Sequence, residues 1–532
     1  MDGIRPTIAS LHGIVAASHP QAAAAGAQIL AAGGNAFDAA VAVAAVLGVV
    51  EPFMSGLFGN GMATVRPAGG PIRALQFRAG VPRAFPLGRY GKREEMYRGP
   101  MATSAPGNLA GWDALLKAHG TLSLAEALAP AIRLARDGFA LIDYTAFGIN
   151  GSAKELAPYS FFEDWSRVYT GGRGAVRAGE VLRLSELADT FEAIAAHGIG
   201  HLYGGALGQQ IVDHLRGLGG CLSMADIEAA QHVAWTTPLS APYRDLMVHV
   251  PRPPSQAFQM LIGLRILDGF DVGSLPFLGV EHLDLVWRAA RLAAGARIEA
   301  GNPKPELLAR LLEDEAIARL RARCADGVVI SGPAEQWVAP PEGRVAGQHT
   351  TSLSVSDRAG NLVCLTQSLG ALFGNGVVVP GTGVCLNNGL YWGELDPRSP
   401  NHLIPGGELM TSVAPSLATR GGVPVLALGT PGSYGISQTQ TQVMVHHVDY
   451  GMALQAAIEA PRARLWDGVR VQAESRIEAS VIEALRARGH AVETPSAWTS
   501  AVGGMQGISI DPASGVMTGG ADPRREGYVV PG

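Results

Sequence analysis

Two adjacent threonines, Thr350 and Thr351, head the run Gly347-Gln348-His349-Thr350-Thr351-Ser352-Leu353-Ser354-Val355-Ser356-Asp357. A threonine hydroxyl in mid-chain is a poor nucleophile, because nothing beside it takes its proton. At a chain start the same residue carries an α-amine with a pKa near ~8, and that amine can act as its own general base. Cutting the His349–Thr350 bond would therefore turn this segment into a catalytic element. Leu353 and Val355 alternate with Ser352, Ser354 and Ser356, which predicts a half-buried strand. Asp357-Arg358-Ala359-Gly360 supplies turn chemistry, and a second β-rich run follows from Asn361 to Ser368. Ordinary β-propensity also accounts for Thr-Thr-Ser in a strand, so the pattern alone leaves both readings open.

A second segment adds donors. Gly429-Thr430-Pro431-Gly432-Ser433-Tyr434-Gly435 is a glycine turn ahead of a helix expected from about Ile436 to Val448. Such a turn exposes successive backbone N–H groups able to form an oxyanion hole; it also reads as a plain strand-to-helix connection. Other catalytic patterns are missing. There is no G-x-x-x-x-G-K-[ST] and no G-x-S-x-G, and the glycines near 56–61 lack dinucleotide spacing. His446 and His447 are adjacent, so on a helix they point about 100° apart and read as structural.

The elements that must position these residues are legible in outline. Residues 21–50 read as two helices broken at Gly33-Gly34, with Asn35 or Asp38 capping the second. Met62–Val65 reads as a strand, and residues 108–137, 186–217 and 280–323 as helical. Stretches 250–256, 302–305 and 332–343 read as connections. Helix-rich flanks around β-rich centres argue α+β layers. With 532 residues, 47% hydrophobic and 16% charged, the chain can bury a large core. A net charge of −5 without a basic block argues against nucleic acid and anionic membrane as partners. No run approaches the ~18 apolar residues of a membrane span; Ala36–Val50 is interrupted by Asp38. The N-terminus has no secretory pattern, and the four scattered cysteines suit a reducing compartment, so a cytoplasmic location is expected.

Several motifs occur in order along the chain: Gly13–Pro20, Gly33–Ala42, Gly48–Pro52, Gly120–Ser123, Leu386-Asn387-Asn388, Asp449–Met452 and Ala460-Pro461-Arg462. Together with the Thr350 strand they resemble the γ-glutamyltransferase (γ-glutamyltranspeptidase) family of N-terminal-nucleophile hydrolases over nearly the full length. The resemblance implies a four-layer αββα sandwich of the Ntn-hydrolase type. It implies self-cleavage between His349 and Thr350, giving a large-subunit segment 1–349 and a small-subunit segment 350–532 that form one intertwined domain. It places the nucleophile at Thr350, with Thr351 following as in the family motif at the substrate site. Ser368 falls where the family has a threonine bonded to the nucleophile hydroxyl. Gly432 and Ser433 fall on the oxyanion pair, normally two glycines. Thr411, Ser412 and Arg78, the last within Phe77-Arg78-Ala79-Gly80-Val81-Pro82, fall on the groups that hold the substrate carboxylate.

The departures bear on substrate. Family members hold the glutamyl ammonium with an amide and acidic or amide groups at positions that here are Gly370, Gly389 and Trp392. An ammonium buried without partners costs several kcal/mol, whereas the carboxylate side is retained. The segment Trp392–Pro405 is short, which implies a reduced lid. The expected activity is that of an autoprocessing amidohydrolase acting on a small carboxylate-bearing amide without a free α-amine, as oxamate amidohydrolases and glutaryl acylases are. A glutathione hydrolase is the alternative enzyme, and an uncleaved, silent binding protein the alternative outside enzymes. Neither cofactor nor metal is expected. The partners expected are the small-molecule amide and the chain's own cleaved subunit, as a heterodimer or a dimer of heterodimers.

Overall fold

The fold follows from one pairing: a strand that starts beside Thr350 and a buried helix that spans it end to end. In the computed structural model, which describes residues 4–78, 80–335 and 349–532, the nucleophile strand is Thr351–Asp357 and its neighbour is Leu362–Ser368. Ala79, Gly347, Gln348 and most of the connection 332–343 lie outside the described residues. Helix Ala36–Val50 crosses the strand; 15 residues of helix and 7 of strand each span about 22–23 Å. At one end Asp357 accepts from Ala36 N at 2.8 Å. At the other, Glu51, which follows the helix, accepts from Thr351 Oγ1 at 2.6 Å.

That helix begins where the sequence predicts. Asn35 is its N-cap and forms a reciprocal capping box with Asp38. Asp38 also accepts from Thr121 N, Thr121 Oγ1 and Leu122 N. The distant Gly120–Ser123 motif is thus a partner of the first helix's cap. The preceding helix, Pro20–Ala31, ends just before Gly33, whose φ of +97° turns the chain.

Two seven-stranded antiparallel sheets lie face to face. The first runs Tyr528–Pro531, Gly13–Ala17, Thr351–Asp357, Leu362–Ser368, Asn60–Arg66, Arg73–Phe77, Ala234–Thr236. The second runs Ile8–Ser10, Met517–Ala521, Gln506–Ile510, Val423–Gly429, Ser416–Arg420, Leu246–Val250, Leu239–Tyr243. Both sheets combine strands from before and after residue 350. Helices including Ala36–Val50, Asn108–His119 and Leu124–Asp137 cover the first sheet, with a core around Phe37, Val41, Leu353 and Val355. Phe258–Leu267, Val280–Ala300 and Ile436–Val448 cover the second. A thin core of Ile14, Leu362, Cys364, Leu417, Ala427, Ile508 and Met517 lies between the sheets. This is the four-layer αββα sandwich.

One expectation is corrected. The Thr351–Asp357 strand is buried at every position rather than half-buried. Leu353 and Val355 face helices, while the serines face the second sheet. A Cβ on Gly429 would lie 2.1 Å from Ser352 Oγ, and Ser354 Oγ donates to Gln506 O at 3.2 Å. Alternation here separates two buried faces, apolar against helix and small-polar between closely approaching sheets. His446 and His447 are structural: each Nδ1 meets a backbone carbonyl, of Ala457 and Met452. No helix among the described residues is long and apolar enough to cross a membrane.

Candidate active site

Period-2 geometry puts Thr350 on the inter-sheet face and Thr351 on the helix face, and the contacts agree. Thr350 Oγ1 donates to Ser368 Oγ at 3.1 Å, across the strand pair. Ser368 Oγ accepts a second hydrogen bond from Gly370 N at 2.9 Å. The serine oxygen thus accepts from both the Thr350 hydroxyl and the Gly370 backbone. Thr350 has φ +95°, a region that a β-branched residue enters only under strain. The strained residue is the one that follows the His349–Thr350 bond.

The glycine turn reaches the same bond. Gly432 N donates to His349 O at 3.3 Å. Gly432 has φ +136° and Ser433 φ +56°, so the position where a second glycine is usual keeps a left-handed backbone despite its side chain. Arg464 holds the turn from beneath, donating to Gly432 O at 2.7 Å. Arg464 is itself paired with the buried Glu335. Burial, helped by the positive Arg98, Arg525 and Arg464, pushes His349 down to about 3, so its ring is neutral.

A pocket of about 70 Å³ opens on these groups, lined in part by Arg78, Thr350, Ser368, Gly370, Trp392, Thr411, Ser412 and Ser433. The structure therefore brings together every predicted site residue except three. Gly432 and His349 do not line the pocket; they meet beside it in the backbone hydrogen bond just described. Thr351 departs from its expected substrate role: it is fully buried, and its hydroxyl meets Ser18 and Glu51 on the helix side.

Sequence reasoning passed over two residues. Glu51 is fully buried behind the nucleophile and accepts from Ser18 Oγ at 2.8 Å as well as from Thr351. Burial pushes its carboxyl up to about 7, the two hydroxyl donors opposing the rise. Glu408 forms an ion pair with Arg78. The quoted motif Gly48–Pro52 contained Glu51, but nothing local in it names a partner.

At Gly370 and Gly389 the space that a side chain would need is already filled. A Cβ on Gly370, whose φ is +99°, would lie 2.1 Å from Asn388 Oδ1 and 3.1 Å from Trp392 Nε1. A Cβ on Gly389 would lie 2.1 Å from Ser104 Oγ. Asn387 and Asn388 spend their amides on the fold: Asn387 on Ser104, Gly389 and Phe58, Asn388 on Ala371 and Tyr97. The Trp392 ring stands 5.8 Å from Tyr391, 5.8 Å from Tyr434 and 6.5 Å from His349. Among the described residues no group of three His, Cys, Asp or Glu is placed to hold a metal ion.

Known proteins resemble this chain over nearly its whole length. Residues 22–532 match the family described as Gamma-glutamyltranspeptidase. The chain is 35% identical to an Acylase ACY 1 proenzyme of Pseudomonas sp. (strain SE83), covering 97% of this chain and 93% of that one. It is 33% identical to the glutathione hydrolase-like YwrD proenzyme of Bacillus subtilis, covering 97% and 98%. The crystal structure of a cephalosporin acylase from Bacillus halodurans superposes with a TM-score of 0.89 at 30% identity, covering 99% of this chain and 97% of that chain. A threonine heading a central strand, a glycine turn donating to the preceding carbonyl and proenzyme relatives along the whole length lead to one conclusion: the chain belongs to the γ-glutamyltranspeptidase family of autoprocessing Ntn amidohydrolases.

Proposed function

We propose that the chain cleaves itself between His349 and Thr350 and then hydrolyses amides of small carboxylate-bearing acyl groups that lack an α-amine. The products of processing are segments 1–349 and 350–532, held together as a heterodimer by the strands that both contribute to each sheet. The observation that carries the substrate reading is the filled space at Gly370 and Gly389, where Asn388, Trp392 and Ser104 leave no room for groups that would hold an ammonium. Arg78, Thr411 and Ser412 remain in the pocket as carboxylate holders. Relatives named acylase are on this ground the better guide than those named glutathione hydrolase.

In the precursor the Thr350 hydroxyl attacks the His349 carbonyl, whose oxygen already accepts from Gly432 N–H. The C–N bond breaks, and the nitrogen takes the proton to become the α-amine. Water then hydrolyses the resulting ester. In the processed enzyme the α-amine receives the hydroxyl proton as Thr350 Oγ1 attacks the substrate carbonyl. The N–H groups of Gly432 and Ser433 stabilise the oxyanion, a contribution of about 3 kcal/mol per donor. The leaving amine departs with the proton, and water releases the acid. Comparing glutaryl p-nitroanilide with γ-glutamyl p-nitroanilide tests the reading, since the two differ by the α-amine alone. A higher kcat/KM for the glutaryl compound is expected; the reverse order refutes it.

A further inference from the structure

Arg78 stands at a junction. Besides the Thr350 pocket it lines a second cavity of about 260 Å³ formed also by Arg83, Asp226, His232 and Glu408. Among the described residues it alone lines both. On the far side its guanidinium is paired with Glu408. Backbone pairing fixes this meeting: Gly80 and Glu408 form an antiparallel bridge, Val81 N donates to Gly407 O at 2.9 Å, and Gly406 N donates to Val81 O at 3.0 Å. Three residues past Glu408 the same segment delivers Thr411 and Ser412 to the pocket. One short segment therefore carries both the hydroxyls that hold a substrate acid and an acid that occupies the arginine meant for it.

We infer that Glu408 is a specificity-determining residue: an internal carboxylate that holds Arg78 until a substrate carboxylate displaces it into the neighbouring cavity. This rests on the amidase reading above. The Glu408 side chain is 50% exposed and that of Arg78 26%, and an ion pair this open is weak enough to be exchanged. The cavity gives the displaced side chain room, and Arg83 and His232 offer it positive or donor groups. Arg83 is only partly engaged, with Asp226 at 3.3 Å and its own side chain 60% exposed. Acyl groups without an acid leave the Arg78–Glu408 pair in place, so the residue taxes anionic substrates alone.

The test is Glu408→Gln in the processed enzyme, assayed with glutaryl, valeryl and γ-glutamyl p-nitroanilides. The KM for the glutaryl compound should fall by up to about 5-fold, the range expected for loss of a weak competing pair. The KM for the uncharged valeryl compound should stay as it is. A glutaryl KM that is unchanged or higher overturns the inference. So does a loss confined to the γ-glutamyl compound, which would make Glu408 an ammonium holder. If neither protein hydrolyses any of the three, the amidase reading falls. Calorimetric binding of glutarate then decides this inference separately: tighter binding to the variant sustains it, and equal binding overturns it.

Discussion

Gly432 N donates to the carbonyl oxygen of His349 at 3.3 Å, so the donor needed for acyl transfer already rests on the bond that processing must break. In the proposed mechanism the same turn serves two reactions in succession. Gly432 has φ +136°, a backbone that L side chains adopt only under strain. Gly432→Ala should therefore misplace the donor and slow processing by on the order of 100-fold, the usual cost of losing one oxyanion donor. The readout is a denaturing gel over time. The parent should yield two fragments, the smaller beginning Thr-Thr-Ser-Leu, whereas Thr350→Ala should remain a single band. Two fragments from Thr350→Ala would remove the nucleophile assignment.

Ser368 tests the orientation of that nucleophile. Its oxygen accepts from both Thr350 Oγ1 and Gly370 N. Ser368→Ala strands both donors and should lower processing and kcat by about 10²-fold. Ser368→Thr keeps the hydroxyl and should retain most of both. Equal rates in all three proteins would show that the contact is incidental.

Glu51 makes stability depend on pH. Burial holds its carboxyl at about 7 in the folded chain, against 4.5 ordinarily. Between those values the folded state keeps a proton that the unfolded chain releases, so stability falls as pH climbs from about 4.5 to about 7. The limit of that loss is about 3 kcal/mol. Glu51→Gln can still accept from Ser18 and Thr351 but has no proton to lose. Thermal melts at pH 5 and pH 7.5 should show a smaller drop for the variant than for the parent. Because other titrating groups are common to both proteins, equal drops would refute the assignment.

What was legible in the sequence was local or ordered along the chain. Asn35 and Asp38 cap a helix three residues apart, and a capping box announces itself in four letters. The Thr350 strand announced itself by alternation, but alternation cannot tell solvent from a second sheet, which is why Ser352, Ser354 and Ser356 prove buried. Parity alone would have moved Thr351 off the substrate site, since it shares a face with Leu353 and Val355. Glu51 and Glu408 were not legible. Glu51 acts on Ser18 and Thr351, 33 and 300 residues away, and Glu408 meets Arg78 only because Gly80 pairs with it across the fold.

Trp392 tests the substrate reading from the other direction. Its indole stands against the space that Gly370 leaves, and its ring neighbours are His349, Tyr391 and Tyr434. Trp392→Asp removes bulk and adds an anion beside the pocket. The ratio of γ-glutamyl to glutaryl anilide hydrolysis, read as kcat/KM, should rise by about 10-fold or more, since a partly buried opposite charge is worth a few kcal/mol at most. An unchanged ratio would mean that Trp392 does not set the preference.

Ser433 carries a cost that the fold does not need. Its φ of +56° is left-handed, and its buried hydroxyl has no hydrogen-bond partner among the described residues. A non-glycine residue in that region costs about 1–2 kcal/mol, and an unsatisfied buried hydroxyl adds about 1 kcal/mol or more. Replacement by glycine removes both and gives back roughly 0.5–1 kcal/mol through the freer unfolded chain. Because the oxyanion donor is the backbone N–H, Ser433→Gly should process and turn over like the parent while gaining about 1 kcal/mol of stability. Denaturant unfolding of the two processed proteins, beside a kcat comparison, checks both halves. A large loss of kcat with intact folding would mean that the hydroxyl itself touches the substrate, and Ser433→Val, which keeps the strain and adds a β-branch, should be the least stable of the three.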